Sequence, residues 1–264
     1  MTPSPIAMSS LLPDLTVLKA GTGVLTKSSD GTLDRAQLVH FVAGIAGLID
    51  AGHRCLLVSS GAVGSGVSSL GLDAYPSDTA TRQACAAVGQ ARLMHVYGSL
   101  FANFDITVAQ VLLTAGDLST PERAAYVSDT LRRLLAEKRI LPIINENDSV
   151  AVEELKFGDN DMLSARVSVL AGAKRLVLLT SVDGLLDPQT NELVPEVADI
   201  DQVLGHVRDD RGKFSIGGMA SKLTAVRHAV ENGIETHIAH GRHPERLAAI
   251  LAGTGLSTRF APKL

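Results

Sequence analysis

Cysteine is scarce: Cys55 and Cys85 are the only two in 264 residues, and neither stands in a Cys-x-x-Cys pattern that would bind zinc or cycle with a disulfide. Two packing thiols in a reducing compartment account for them. Basic residues are not in excess either, since 24 Lys and Arg face 28 Asp and Glu for a net charge of −4. Nucleic acid and anionic membrane surfaces select clustered positive charge, so neither is an expected partner, and small metabolites are the better class. No uninterrupted apolar run reaches membrane length, and residues 1–14 lack the basic lead and apolar stretch of a signal peptide, so a cytoplasmic protein is expected. With 45% hydrophobic residues and no Pro/Gly/Ser linker, the chain reads as a single domain over 14–264 behind a partly disordered extension at 1–13.

Several catalytic signatures are missing as well. The glycines of Ser59-Ser60-Gly61-Ala62-Val63-Gly64-Ser65-Gly66 fall as G-x-x-G-x-G, which is neither the dinucleotide fingerprint nor a Walker A loop. No EF-hand order, Ser-His-Asp set or Cys-His pair is legible. His237, His240 and His243 recur every three residues, but the first two differ by an odd number on a strand and so point to opposite faces, which argues against a metal site.

What is present is alternation. Short apolar runs at Thr16–Lys19, Cys55–Ser59, Ile106–Leu112, Ile140–Asn145, Leu176–Thr180 and Glu235–Ala239 predict buried strands. Between them, Leu33–Ala51, Thr79–Phe104, Thr120–Lys138, Asp159–Ala171 and Gly218–Asn232 predict helices, with a capping box expected at Ser119-Thr120-Pro121-Glu122. This rhythm implies an α/β fold with a mainly parallel sheet covered on both faces. Val150–Lys156 reads as a hairpin or flap, and Leu185–Gly217 is the least regular region.

The chemistry-bearing residues cluster at predicted strand ends, where an α/β sheet places its ligand. Lys19-Ala20-Gly21-Thr22-Gly23 follows the first strand, with glycines that let backbone N–H groups approach anionic oxygens. The Ser60-Gly61 turn follows the second strand and opens a helix whose N-terminus suits a carboxylate or phosphate. Asn145-Glu146-Asn147-Asp148 and Gly158-Asp159-Asn160-Asp161 gather acids and amides whose desolvation needs a bound partner. Gly217-Gly218-Met219-Ala220-Ser221-Lys222 places a lysine in the first turn of a helix, where the macrodipole disfavours a cation that lacks an anion. Two lysines for a phosphoryl group and an acid-amide loop for a small zwitterion together suggest an amino acid kinase.

In this order the motifs resemble the amino acid kinase family, from about Asp14 to Phe260, and most closely those members that phosphorylate the γ-carboxylate of free L-glutamate at the first step of proline biosynthesis. The resemblance implies a three-layer αβα sandwich, ATP and Mg2+, and proline as feedback inhibitor. It also implies a homo-oligomer and a functional link to glutamyl-phosphate reductase. By motif, Lys19, Lys222 and Asp161 would be catalytic, with Asp161 bracing the two lysines. Ser60, Gly61, Asp148 and Asn160 would bind glutamate. Lys19, Gly21, Thr180, Ser181, Gly217, Gly218, Met219 and Lys222 would bind ATP, and no resident metal ligand is implied. Many bacterial members carry a C-terminal PUA domain, for which the residues up to Leu264 leave no room. The alternatives are members acting on N-acetylglutamate or aspartate, or a non-catalytic amino acid sensor.

Overall fold

The computed structural model describes residues 14–27, 31–151, 160–187, 189–204 and 218–263. The expected flap over Val150–Lys156 lies largely outside them, as do the extension 1–13, Gly158, Asp159 and Gly217.

The strands are β1 (Leu15–Ala20), β2 (Arg54–Ser59), β3 (Thr107–Leu113), β4 (Ile140–Glu146), β5 (Arg175–Thr180), β6 (Glu196–Val197), β7 (Glu235–His240) and β8 (Thr258–Phe260). They form one sheet in the order β3-β4-β2-β1-β5-β7-β8-β6. Every pairing is parallel except β7 with β8. The helices are α1 (Thr22–Leu25), α2 (Arg35–Asp50), α3 (Ala62–Ser69), α4 (Thr79–Ala102), α5 (Ala115–Ser119), α6 (Pro121–Ala136), α7 (Asn160–Ala171), α8 (Asp201–Leu204), α9 (Met219–Glu231) and α10 (Leu247–Leu251). All six expected strands and five expected helices are present within a few residues. Not anticipated were β6 and β8, each too short for a periodic signal, and the small helices α1, α5, α8 and α10.

Alternation along the central strands builds two cores. Leu15, Val17, Leu56, Val58, Ile144, Leu176 and Leu178 pack with residues of α6, α7 and α9. Their neighbours Leu18, Ala20, Leu57, Ile143, Val177 and Leu179 pack with α2 and α4 on the other face. The result is the three-layer αβα sandwich, with central strands buried on both sides. The same period of two decides what the strand-end polar residues meet: Lys19 shares a face with Val17 and turns toward α7 and α9, whereas Ser59 and Asn145 turn toward α4.

Helix starts follow local chemistry. Asp34 and Asp78 cap α2 and α4 by accepting from the backbone N–H groups of Gln37 at 3.1 Å and Thr81 at 2.8 Å. The capping box expected at Ser119–Glu122 is not formed. Thr120 already closes α5, its N–H donating to the Gly116 carbonyl at 3.2 Å, and its side chain makes no cap bond. The box-like exchange lies earlier, where Asp117 accepts from the Thr114 N–H at 2.8 Å and its hydroxyl at 2.6 Å.

Helices α3 and α4 meet backbone to backbone. A Cβ on Gly89 would sit 1.8 Å from the Ala62 carbonyl oxygen, and one on Gly66 would sit 1.8 Å from that of Cys85. The first turn of α3 is thereby seated on α4.

Candidate active site

The C-terminal ends of β4, β2, β1 and β5 lie side by side, and the turns that leave them carry the polar residues. Lys19, the fifth residue of β1, is only 4% exposed. Its Nζ lies 2.6 Å from Asp161 Oδ1, and Lys222 Nζ, from the first turn of α9, lies 2.9 Å from Asp161 Oδ2. Asp161 sits in the first turn of α7 and is fully buried. Burial pushes its carboxyl upward, but the charges of Lys19 and Lys222 and the hydrogen bonds they donate outweigh that and hold it below the usual aspartate range. Two ammonium groups around one carboxylate sum to a single positive charge in a largely desolvated position, which suits an incoming anion.

A second cluster adjoins the first. Asn160 Nδ2 donates to the Ser59 carbonyl at 2.8 Å, Ser60 Oγ at 3.0 Å and Asn145 Oδ1 at 2.9 Å. The Ser59 carbonyl accepts only, so the Asn160 amide is oriented with Oδ1 turned away, and that buried oxygen has no partner among the described residues. Asn145 Oδ1 also accepts from the Glu146 N–H at 2.9 Å, and Asn145 Nδ2 donates to Gln90 Oε1 of α4 at 2.9 Å. Gly61 caps α3 at φ 98°, a left-handed conformation that brings the helix N-terminus round beside Ser60. Nearby, Ser59 Oγ shares a hydrogen bond of 3.0 Å with the hydroxyl of Tyr97, which is fully buried.

Asp148 lies in the turn after β4, where Val150 and Ala151 donate to the Asn147 carbonyl. Partial burial pushes the Tyr75 phenol up; Arg82 opposes that shift and Asp148 reinforces it, so both charges act on Tyr75. Thr180 ends β5 and Ser181 follows it on the β7 side of Lys19. Gly218 caps α9, with Lys222 N–H donating to its carbonyl at 3.3 Å, and Met219 is the first helical residue. Gly217 falls outside the described residues. At Gly21 the geometry departs from the expectation that its N–H faces an anion, because that N–H donates to the Leu179 carbonyl at 3.2 Å and so ties β1 to β5.

The structure thus brings Lys19, Asp161 and Lys222 into one ion-paired group and joins Ser60 to Asn160. Sequence reasoning assigned no role to Gln90 or Tyr75. A polar residue on a long helix carries no periodic mark, and Tyr75 sits in an irregular connection. Asn145 stood in a motif, and the parity of β4 was the available signal that it turns toward α4.

Among the described residues, no three His, Cys, Asp or Glu side chains are grouped to hold a metal ion, and no helix is long and apolar enough to cross a membrane. Cys55 and Cys85 are buried and unpaired.

Residues 14–240 match the amino acid kinase family, and the chain belongs to that family and is a kinase. Curated relatives point to one branch of it. The glutamate 5-kinase of Synechocystis sp. is 43% identical over 260 residues, covering 95% of this chain and 68% of that protein. The glutamate 5-kinase of Clostridium acetobutylicum is 43% identical over 253 residues, covering 94% of each. Among solved structures, the carbamate kinase of Giardia lamblia bound to AMP-PNP superposes with a TM-score of 0.66 at 14% identity, covering 94% of this chain and 98% of that one. The similarity at that identity is one of fold.

Proposed function

We propose that this chain transfers the γ-phosphoryl group of ATP to the γ-carboxylate of L-glutamate, giving L-glutamyl 5-phosphate and ADP. The observation that carries the reading is the Lys19–Asp161–Lys222 group beside the Ser60–Asn160 cluster. A cationic position for a phosphoryl group adjoins a polar one with a buried acceptor, Asn160 Oδ1, left for a donor. The ammonium of a free amino acid is such a donor, and an N-acetylated substrate lacks that charge. The relatives named glutamate 5-kinase support the same acceptor.

A glutamate carboxylate is ionised at neutral pH, so no general base is needed. One of its oxygens forms a bond to the γ-phosphorus as the bond from that phosphorus to the β,γ-bridging oxygen breaks, and ADP leaves with the electron pair. Catalysis then consists of positioning and charge neutralisation. Lys19 and Lys222 balance charge on the transferring and leaving oxygens, and Asp161 holds both ammonium groups in place. The amide N–H groups at the start of α3 assist in orienting anionic oxygens. Thr180, Ser181, Gly217, Gly218 and Met219 form the nucleotide side, and Asp148 with Ser60, Gly61 and Asn160 the glutamate side. Asp161 already serves two lysines, and the described residues offer no other carboxylate cluster for a resident metal; Mg2+ belongs to this reading as the counter-ion of ATP. Proline as feedback inhibitor, a homo-oligomer and a link to glutamyl-phosphate reductase rest on the family resemblance, and a cytoplasmic setting rests on the composition and the residues at 1–14.

The test is ADP release with glutamate, N-acetylglutamate and aspartate in parallel, with hydroxylamine present to convert an acyl phosphate to a hydroxamate. Glutamate-dependent hydroxamate supports the reading. Preference for N-acetylglutamate or aspartate overturns the choice of acceptor, and ATP turnover with none of them overturns the reaction.

A further inference from the structure

We propose that Gln90 is a positioning residue for the amino acid substrate, acting through a chain of amides that begins in α4 and ends at Asn160. The proposal rests on the reading of the Ser60–Asn160 cluster as the glutamate side. Gln90 is 9% exposed and lies one residue from Gly89, whose missing side chain lets α4 touch the Ala62 carbonyl. One turn of α4 therefore supports both halves of the cluster: Gly89 seats the turn that carries Ser60 and Gly61, and Gln90 holds the end of β4.

The hydrogen bonds have a fixed direction. The Glu146 N–H and the Asn160 amide both donate to Asn145 Oδ1, so Asn145 must present Nδ2 on its other side, where Gln90 Oε1 accepts it at 2.9 Å. Asn145 is 3% exposed, so no water replaces that acceptor without rearrangement. Without Gln90 a buried amide N–H is left unpaired, and Asn145 gains by rotating away from Asn160. Asn160 would then lose one of the three acceptors that orient it, and with it the direction of its unpartnered Oδ1. The hydrogen bond of Gln90 runs to Asn145 and through it to Asn160, not to Lys19 or Lys222, so its effect falls on the amino acid and not on ATP.

The experiment compares Gln90→Met, which keeps side-chain length and removes the acceptor, with Gln90→Glu, which keeps the acceptor. Steady-state ADP release is measured while glutamate and ATP are varied separately. Gln90→Met should raise the glutamate KM about tenfold, the size expected for one buried donor left unpaired. Its ATP KM should stay within about twofold of wild type, and Gln90→Glu should recover most of the glutamate KM. A glutamate KM unchanged in Gln90→Met, or an equal rise for ATP, overturns the proposal. If Gln90→Met does not fold, Gln90→Ala takes its place in the same comparison: a glutamate KM about tenfold above that of Gln90→Glu upholds the acceptor role, and equal values for the two remove it. The wild-type arm reports separately on the reading itself. If wild type turns over a different amino acid, the same ratio on that acceptor judges Gln90, and if it turns over none, the proposal falls with the reading.

Discussion

Replacing Asp161 with Asn removes one negative charge and keeps the side-chain shape, which isolates the carboxylate's part in the lysine pair. At 2.6 Å and 2.9 Å and an effective dielectric of about 20, each contact carries roughly 6 kcal/mol of Coulomb attraction before desolvation is subtracted. All three groups are largely buried, so much of that attraction offsets their loss of water. The measurable quantity is the cost of leaving the partners unpaired, about 3–5 kcal/mol. Urea unfolding of Asp161→Asn should therefore show stability lower than wild type by that amount with little change in slope. The wild type should show the matching pH dependence. Because the folded Asp161 is held below its ordinary value of 3.8, its contribution is complete above that pH and is lost as the pH falls through the lower folded value. Saturating ATP should return part of the lost stability, since its phosphates bring negative charge to the two ammonium groups, and about 2.7 kcal/mol is available at a hundredfold excess over Kd. A variant as stable as wild type, or one that ATP stabilises no better than it does wild type, would refute the argument.

Lys222→Ala should lower kcat by about a hundredfold or more, the scale of losing one charge-stabilising donor; unchanged turnover in steady-state assays would remove the lysine from the mechanism. Asp148→Ala should raise the glutamate KM more than it lowers kcat, and equal losses in both would contradict a ground-state contact with the ammonium. Gly89→Ala forces a Cβ to within 1.8 Å of the Ala62 carbonyl, so α3 and α4 must separate. A stability loss of about 1–3 kcal/mol and a raised glutamate KM are expected from denaturation and kinetics, and a neutral substitution would show that the close approach has slack.

Much of the fold was legible because its strands are short, apolar and buried on both faces, as at Leu15–Ala20, with longer stretches of helical periodicity between them. The convergence of Lys19 and Lys222 on Asp161 was expected from motif resemblance; the parity of β1 supplies the physical reason, since the residue two after Val17 must face α7 and α9. What stayed hidden has equally local causes. The strands β6 and β8 are too brief for periodicity, and Thr120 resembles a helix-opening residue while its backbone also closes α5. Gly21 suggested an anion-facing amide, but whether a glycine N–H faces a ligand or a neighbouring strand depends on sheet order, which places Leu179 beside it. Gln90 could not be singled out, because its importance comes from Asn145, 55 positions away.

A crystal structure with a non-hydrolysable ATP analogue and glutamate would show both substrates against the residues assigned to them. The γ-phosphorus is expected between the Nζ atoms of Lys19 and Lys222, with the glutamate γ-carboxylate facing it and the ammonium against Asn160 and Asp148. A nucleotide whose γ-phosphate lies away from both lysines, or glutamate seated outside the Ser60–Asn160 cluster, would contradict that arrangement.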